Sequence, residues 1–387
     1  MRRLLKVGIR GLAILLVLAL AAGIWKREEI ARLMAVNTLF EADRIVANFS
    51  NMNRAFLNAP VPRGTGPVSP LPQGQVAVLP PDVEDWIVSR AVTALVVLKD
   101  GQIVHESYHL GTAPEDRRIS WSVAKSYLSA LLGTLVADGT IPDLDAPVTR
   151  YAPTLVGSAY DGATIRNVLQ MASGVDFDED YLDYDSDINR MGREIALGGT
   201  LDGFTAGITA RARGPGSGWQ YVSMDTHVIG MVIRGATGQD IPTLLSERII
   251  APLGLEAEPY YLTDGQGVAF VLGGLNLTTR DYARFGQMIA QDGVWQGNRI
   301  LPEGWVAEST APSAPTALGA IGYGYQWWVP VGAEPGQFMA RGIYGQYLYI
   351  DQQRGVVIAT NGADRGFREP GVDEANVAIF RSIAENL

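Results

Sequence analysis

Ile119-Ser120-Trp121-Ser122-Val123-Ala124-Lys125-Ser126-Tyr127-Leu128 is the stretch on which the reading of this chain turns. Leu128, Leu131, Leu132 and Leu135 recur at helical spacing, so the segment reads as a loop running into a buried helix. A serine and a lysine three residues apart on a helix share a face and can touch. Ser122 and Lys125 therefore offer a nucleophile with its own base, and no histidine is needed. The cation census supports this reading. Only Lys6, Lys26, Lys99 and Lys125 are lysines among 31 basic residues. Arginine stays protonated at any working pH, whereas a desolvated lysine can give up its proton.

Working outward, Ala94–Leu98, Lys99-Asp100-Gly101-Gln102 and Ile103–Tyr108 predict a β-hairpin with Asp-Gly in the turn. A second hairpin is expected near the other end, from Tyr344 to Asp351, through Gln353-Arg354-Gly355, and back along Val356–Ala359. Val372 to Leu387 reads as a closing amphipathic helix. Strands at both ends with helices between predict an α+β fold, a central antiparallel sheet flanked by helices with an inserted, mainly helical domain. The insertion is expected over roughly 135–300, and the globular body over 81–387.

Before that body, residues 26–45 suggest a short amphipathic helix, and 58–81, rich in Pro and Gly, an extended surface arm. Residues 27–80 thus form a helix and arm, and residues 1–26 a membrane anchor or signal segment. Arg2, Arg3, Lys6 and Arg10 precede an apolar run from Gly11 to Trp25. A cleaved signal would use small residues near Ala19-Leu20-Ala21. An uncleaved anchor fits the missing polar c-region better and leaves the positive end in the cytoplasm. Either way the body is expected outside the cytoplasm, anchored in a bacterial-type inner membrane facing the periplasm, or exported. The chain has no cysteine, which removes thiol catalysis, disulfides and thiolate metal sites. A net charge of −10 argues against nucleic acid as a partner.

Two further pieces can carry chemistry. Tyr221-Val222-Ser223 supplies a phenol that could relay a proton beside Lys125 and a hydroxyl to orient it. In Ala340-Arg341-Gly342-Ile343-Tyr344-Gly345-Gln346, the glycines at an edge strand let a substrate approach the backbone. There the Ile343 N–H could pair with that of Ser122 to hold an oxyanion. Asp176–Asp187 carries seven carboxylates. Asp183, Asp185 and Asp187 with Glu194 imitate calcium-loop spacing, but Ile188 stands where that loop needs glycine, so a solvated lid loop is expected and no metal. His105 and His109, flanking Glu106, are expected to be solvent-facing or packed side chains.

In this order the three motifs resemble the serine β-lactamase-related hydrolases: class C β-lactamases, D-alanyl-D-alanine carboxypeptidases, family VIII esterases and 6-aminohexanoate-dimer hydrolases. The resemblance runs from about residue 85 to the end and includes Thr164–Gly174 and Gly273–Gly286. It is closest to the 6-aminohexanoate-dimer hydrolase branch, through Ser120-Trp121-Ser122, Asp178-Glu179-Asp180-Tyr181, Gly324-Tyr325-Gln326-Trp327-Trp328 and Gly342-Ile343-Tyr344-Gly345-Gln346. The resemblance implies a β-lactamase/transpeptidase-like fold, catalysis by Ser122, Lys125 and Tyr221, and an oxyanion hole at Ser122 and Ile343. It implies substrate contacts from Tyr181, Ser223, Gly342, Tyr344, Gly345 and Gln346, with no cofactor. Two departures stand out. Ala340-Arg341-Gly342 replaces the Lys-Thr-Gly of β-lactamases, and Ser223 replaces the asparagine of class C enzymes. Both favour hydrolysis of a small-molecule ester or amide over a penicillin-recognising activity. A membrane-tethered binding protein with a spent site is the remaining alternative. Trp219, Trp327, Trp328 and Tyr344, with Tyr181, suggest an aromatic-lined cleft.

Overall fold

The strand Val92–Lys99 alternates its side chains between two buried faces, and this organises the molecule. Leu95 and Val97 pack with Trp86, Tyr349 and Phe380, while Val96 and Leu98 pack with Tyr127, Leu128, Phe285 and Leu348. A sheet covered on both faces gives a nearly unbroken apolar run such as Ala94–Leu98. The protein is seen here as a computed structural model that describes residues 2–387, with side chains from residue 8 onward. Arg2, Arg3 and Lys6, the expected positive flank, therefore lie outside the described side chains.

The main sheet has seven antiparallel strands in the order Gln102–Tyr108, Val92–Lys99, Val356–Gly362, Gln346–Asp351, Gln337–Gly342, Trp328–Val329, Gly322–Tyr323. Both predicted hairpins are present, Val92–Lys99 with Gln102–Tyr108 at one edge and Gln346–Asp351 with Val356–Gly362 in the middle of the sheet. Asp100 and Gly101 take φ of +50° and +79°, the paired left-handed geometry that a two-residue turn needs to match strand twist. Helices Asp82–Ser89 and Val372–Asn386 cover one face, with Trp86 edge-on to Phe380 at 5.8 Å. Ala124–Ala137 and Thr279–Ala290 cover the other, with Tyr127 stacked on Phe285 at 3.7 Å. The helical and irregular segments between the hairpins fill the space beyond that face.

A second, four-stranded sheet places the site. Its order is Asn58–Pro60, Tyr260–Leu262, Leu275–Leu277, Arg118–Ile119. The last strand delivers the chain directly to Trp121 and Ser122. Part of the expected extended arm thus becomes a strand.

The N-terminal helix runs Arg2–Trp25, and its window Gly8–Trp25, mean hydropathy 2.1, is wholly unburied. At 24 residues it reaches about 36 Å, enough to cross a hydrocarbon core of about 30 Å. The single helix expected over 26–45 is instead two, Arg27–Thr38 and Ile45–Ser50, bent between them. Asn48 ties that bend, its Nδ2 donating to the carbonyls of Thr38 at 3.4 Å and Leu39 at 3.0 Å, and buried Arg118 holds the second helix, its Nη1 donating to the Val46 carbonyl and to Ser50 Oγ, each at 2.7 Å. Burial pulls the Arg118 guanidinium down to about 10.

Candidate active site

The chain reaches Ser122 through a strained residue. Trp121 has φ +41°, in the left-handed region that a bulky side chain avoids at a cost of about 1–3 kcal/mol. Packing holds it there. Phe40 and Phe49 of the N-terminal segment lie 5.7 and 5.5 Å from the Trp121 ring. One 3-10 turn, Trp121–Val123, leads into Ala124–Ala137, whose residues 124–135 are all buried.

Lys125 is buried, and its Nζ has three neighbours: Ser122 Oγ at 2.8 Å, Ser223 Oγ at 3.1 Å and the Leu272 carbonyl at 2.7 Å. Burial lowers its pKa to about 7, against an opposing pull from Glu179. At neutral pH a large share of this amine is therefore unprotonated. Ser223 opens the helix Ser223–Thr237, so its backbone N–H and hydroxyl face a negative group. Glu179 supplies it: Oε2 accepts from the Ser223 N–H at 2.9 Å, and Oε1 accepts from both the Ser223 and Tyr181 hydroxyls. Since Ser223 Oγ donates to Glu179, it can only accept from Lys125. The Leu272 carbonyl also only accepts. Two N–H bonds of the neutral amine are thereby used, and its lone pair is left to face Ser122.

Glu179 was not foreseen, because the acidic stretch around it reads as a solvated loop. The signal was present, however. Phe177, Glu179 and Tyr181 turn inward while Asp178, Asp180 and Leu182 are exposed, a period-two alternation in extended chain. Among the described residues no group of carboxylates and histidines is arranged to hold a metal. His105 Nε2 instead lies 3.0 Å from Ser107 Oγ.

Tyr221 lines the site beside Ser122. Its ring centroid is 5.2 Å from Lys125 Nζ, and the neighbouring Ser122 and Ser223 hydroxyls favour its ionised form. Burial, then the Glu179 charge, push the phenol well above its usual range, so it is a protonated donor. Trp328 stacks on it at 5.2 Å.

The end of strand Gln337–Gly342 closes against the serine. A Cβ on Gly342 would stand 2.7 Å from the Ser120 carbonyl oxygen and 3.0 Å from the Ser122 nitrogen, so only glycine fits. Ile343 follows between the paired strands and, with Ser122, lines the space at the site. Tyr344, with φ +60°, is a second strained residue, held by a 4.6 Å stack on Phe40. Tyr344, Gly345 and Gln346 stand behind the site rather than in it. Gln346 is buried, with Nε2 donating to the carbonyls of Ile343, Tyr344 and Gly362, which fixes the turn that carries Ile343. Trp327 also leaves the expected cleft; it is buried in the core beside Phe285 and Phe338.

Ser122 opens on two chambers. One, of about 150 Å³, is lined by Val36, Leu39, Phe40, Met52, Phe56, Phe270 and other apolar residues, with Tyr181, Ile343 and the neutral polar side chains of Asn189, Thr263 and Ser223. The other, of about 560 Å³, is lined by Tyr221, Trp219, Trp328, Asp178, Glu179, Asp180, Arg341, Arg368 and Asp373. Arg341 is not a free cation. It pairs with Asp373 at 2.7 Å and lies 4.7 Å over the Trp328 ring.

Comparison with known proteins gives one consistent answer. The beta-lactamase family model matches residues 85–378. The chain is 33% identical to the 6-aminohexanoate-dimer hydrolase of Paenarthrobacter ureafaciens over 292 residues, 72% of this chain and 74% of that one. It is 33% identical to esterase EstB of Burkholderia gladioli over 147 residues, 35% of this chain and 36% of the other. A Bacillus anthracis structure named provisionally as a 6-aminohexanoate-dimer hydrolase superposes with TM-score 0.79 at 23% identity, covering 90% of this chain and 95% of its own.

Proposed function

The chain belongs to the beta-lactamase family of serine hydrolases, and from that premise we propose that it cleaves small esters or amides through an acyl-enzyme on Ser122. The observation that carries this reading is the buried Lys125 amine, 2.8 Å from Ser122 Oγ, with a pKa of about 7. Lys125 takes the Ser122 proton as Oγ attacks the substrate carbonyl carbon. The oxyanion rests on the N–H groups of Ser122 and Ile343. As the tetrahedral intermediate collapses, the carbonyl's C–O or C–N bond breaks. Tyr221 gives its proton to the departing oxygen or nitrogen, and the Lys125 ammonium returns one to the Tyr221 phenolate. A water then attacks the acyl carbon, Lys125 takes its proton and delivers it to Ser122 Oγ as the Ser122 ester bond breaks, and the acid leaves.

The pairing of Arg341 with Asp373 speaks against capture of a β-lactam carboxylate in the third-motif position. The apolar N-terminal helix supports a membrane anchor that leaves the hydrolase domain, residues 81–387, outside the cytoplasm. The test is turnover of p-nitrophenyl butyrate and of nitrocefin by the full chain in detergent, with Ser122→Ala as control and a fluorophosphonate probe as label. Ester turnover, slow nitrocefin hydrolysis and Ser122-dependent labelling are the expected results. More than a few per cent of activity left in Ser122→Ala would overturn the mechanism, and fast nitrocefin hydrolysis would overturn the substrate class.

A further inference from the structure

The two chambers at Ser122 differ in chemistry, and that difference orients a substrate. Tyr221, the donor to the leaving group, lines only the larger, polar chamber. The departing alcohol or amine must therefore occupy that side, which leaves the acyl chain to the smaller one. Among the described residues no charged side chain lines the smaller chamber. Its volume of about 150 Å³ matches cavities that hold one benzene, about six carbons. The larger chamber carries Asp178, Glu179, Asp180 and Asp373 against Arg341 and Arg368. Both arginines are already matched, Arg341 to Asp373 at 2.7 Å and Arg368 to Asp180 at 3.7 Å.

Val36, Leu39, Phe40, Met52 and Phe56 all precede residue 85, where the family match begins. One wall of the acyl side is thus supplied by a segment outside the shared domain, on the chain that follows the apolar helix, and the rest by the shared domain.

We propose that this enzyme is selective for esters or amides of an uncharged acyl chain of about six carbons joined to a polar, non-anionic alcohol or amine, and that the segment 36–56 sets the chain length. The proposal rests on the acyl-enzyme reading above. An ω-amino or ω-carboxy acyl chain would bury a charge with no counter-charge and only the neutral Asn189 and Thr263 side chains beside it, which the chamber cannot repay.

The test measures kcat/KM of the full chain in detergent with p-nitrophenyl acetate, butyrate, hexanoate, decanoate and 6-aminohexanoate, the fluorophosphonate label on Ser122 being read in parallel. Each added methylene should raise kcat/KM by about fourfold up to hexanoate, the fold-change of about 0.8 kcal/mol per buried methylene. Decanoate should gain nothing further, and the 6-amino ester should fall at least about tenfold below hexanoate. Two variants place the effect. Gly192 lines the chamber on the helix Asp187–Ala196, and a Cβ there meets no heavy atom within 4 Å. Gly192→Leu therefore adds bulk from a Cβ position that meets no clash, and Val36→Trp adds it from the opposite segment. Either should lower the hexanoate-to-acetate ratio by about tenfold. A labelled Ser122 with a flat chain-length profile, or with the 6-amino ester preferred, would overturn this proposal alone. An unlabelled Ser122 and silence on every ester would overturn the acyl-enzyme reading and this proposal with it.

Discussion

Glu179→Gln should move the acidic limb of the pH–rate profile to lower pH while lowering its plateau. The ordinary limb follows from Lys125. Its pKa of about 7 makes kcat/KM rise through pH 7 as the amine loses its proton, because only the neutral form can take the Ser122 proton. Glu179 stabilises the ammonium and so opposes the effect of burial. The carboxylate reaches Lys125 through Ser223, and two hydrogen bonds in series span about 5 Å. At an effective dielectric of about 20, unit charges at that separation interact by about 3 kcal/mol. Glu179 is half-buried, and water in the chamber screens part of this, so a displacement of about one pH unit is the reasonable magnitude. The sign is fixed: without the carboxylate the ammonium is less favoured, its pKa falls, and the limb moves down. The plateau changes for another reason. The side-chain amide introduced by Glu179→Gln can donate to Ser223 Oγ, freeing the Ser223 proton to compete with Ser122 for the lysine lone pair. A loss of about tenfold is expected above pH 8. The assay is kcat/KM for p-nitrophenyl butyrate from pH 5 to 9, corrected for spontaneous hydrolysis. A limb that stays put or moves up would refute the electrostatic account of Lys125. An unchanged plateau would refute the proton order assigned to Ser223.

Three further outcomes follow from other parts of the molecule. Removing residues 1–26 should leave ester turnover within about twofold, whereas removing 1–57 should abolish it, because Phe40 and Phe49 brace Trp121, and Phe40 stacks on Tyr344; turnover and thermal melting of both truncations decide this. Burial raises the pKa of Asp225 to about 8, above its unfolded value near 4, so the folded state holds the extra proton and this group's contribution to stability falls as pH rises from about 4 to 8; Asp225→Asn should flatten the melting temperature over that window. A Cβ on Gly235 would land on the Tyr151 carbonyl oxygen while one on Gly192 meets open space, so Gly235→Ala should cost several kcal/mol and Gly192→Ala should gain up to about 1 kcal/mol, as read by urea unfolding.

The aromatic bracing explains why the N-terminal segment belongs to the hydrolase body as much as to the apolar helix before it. Trp121 and Tyr344 adopt left-handed backbone next to Ser122 and Ile343, the two residues whose N–H groups are assigned to the oxyanion. Each aromatic contact contributes about 0.5–1.5 kcal/mol beyond area burial, so the stack of Phe40 on Tyr344 and the contacts of Phe40 and Phe49 with Trp121 are of the size needed to offset that strain.

Contacts close in sequence were legible before any coordinates. Ser122 and Lys125 are one helical turn apart, so helix geometry alone brings them together. Asp100-Gly101 fixes its hairpin because few residue pairs tolerate two positive φ angles. The apolar run Gly11–Trp25 declares a helix that water does not favour. The motif Tyr221-Val222-Ser223 could be named as a candidate, but nothing local says that it lies beside Lys125. What only the tertiary structure decided are the relations between distant segments. Glu179 orders the protons of Ser223 across 44 residues of chain. Gln346 turns away from the site to hold the turn at Ile343. Arg341 is taken up by Asp373, and the smaller chamber is completed by residues 36–56. A periodicity reports which face of an element is apolar, but not which other element will cover it. That choice is made by the packing of the whole chain, where shape, charge and strain are satisfied together.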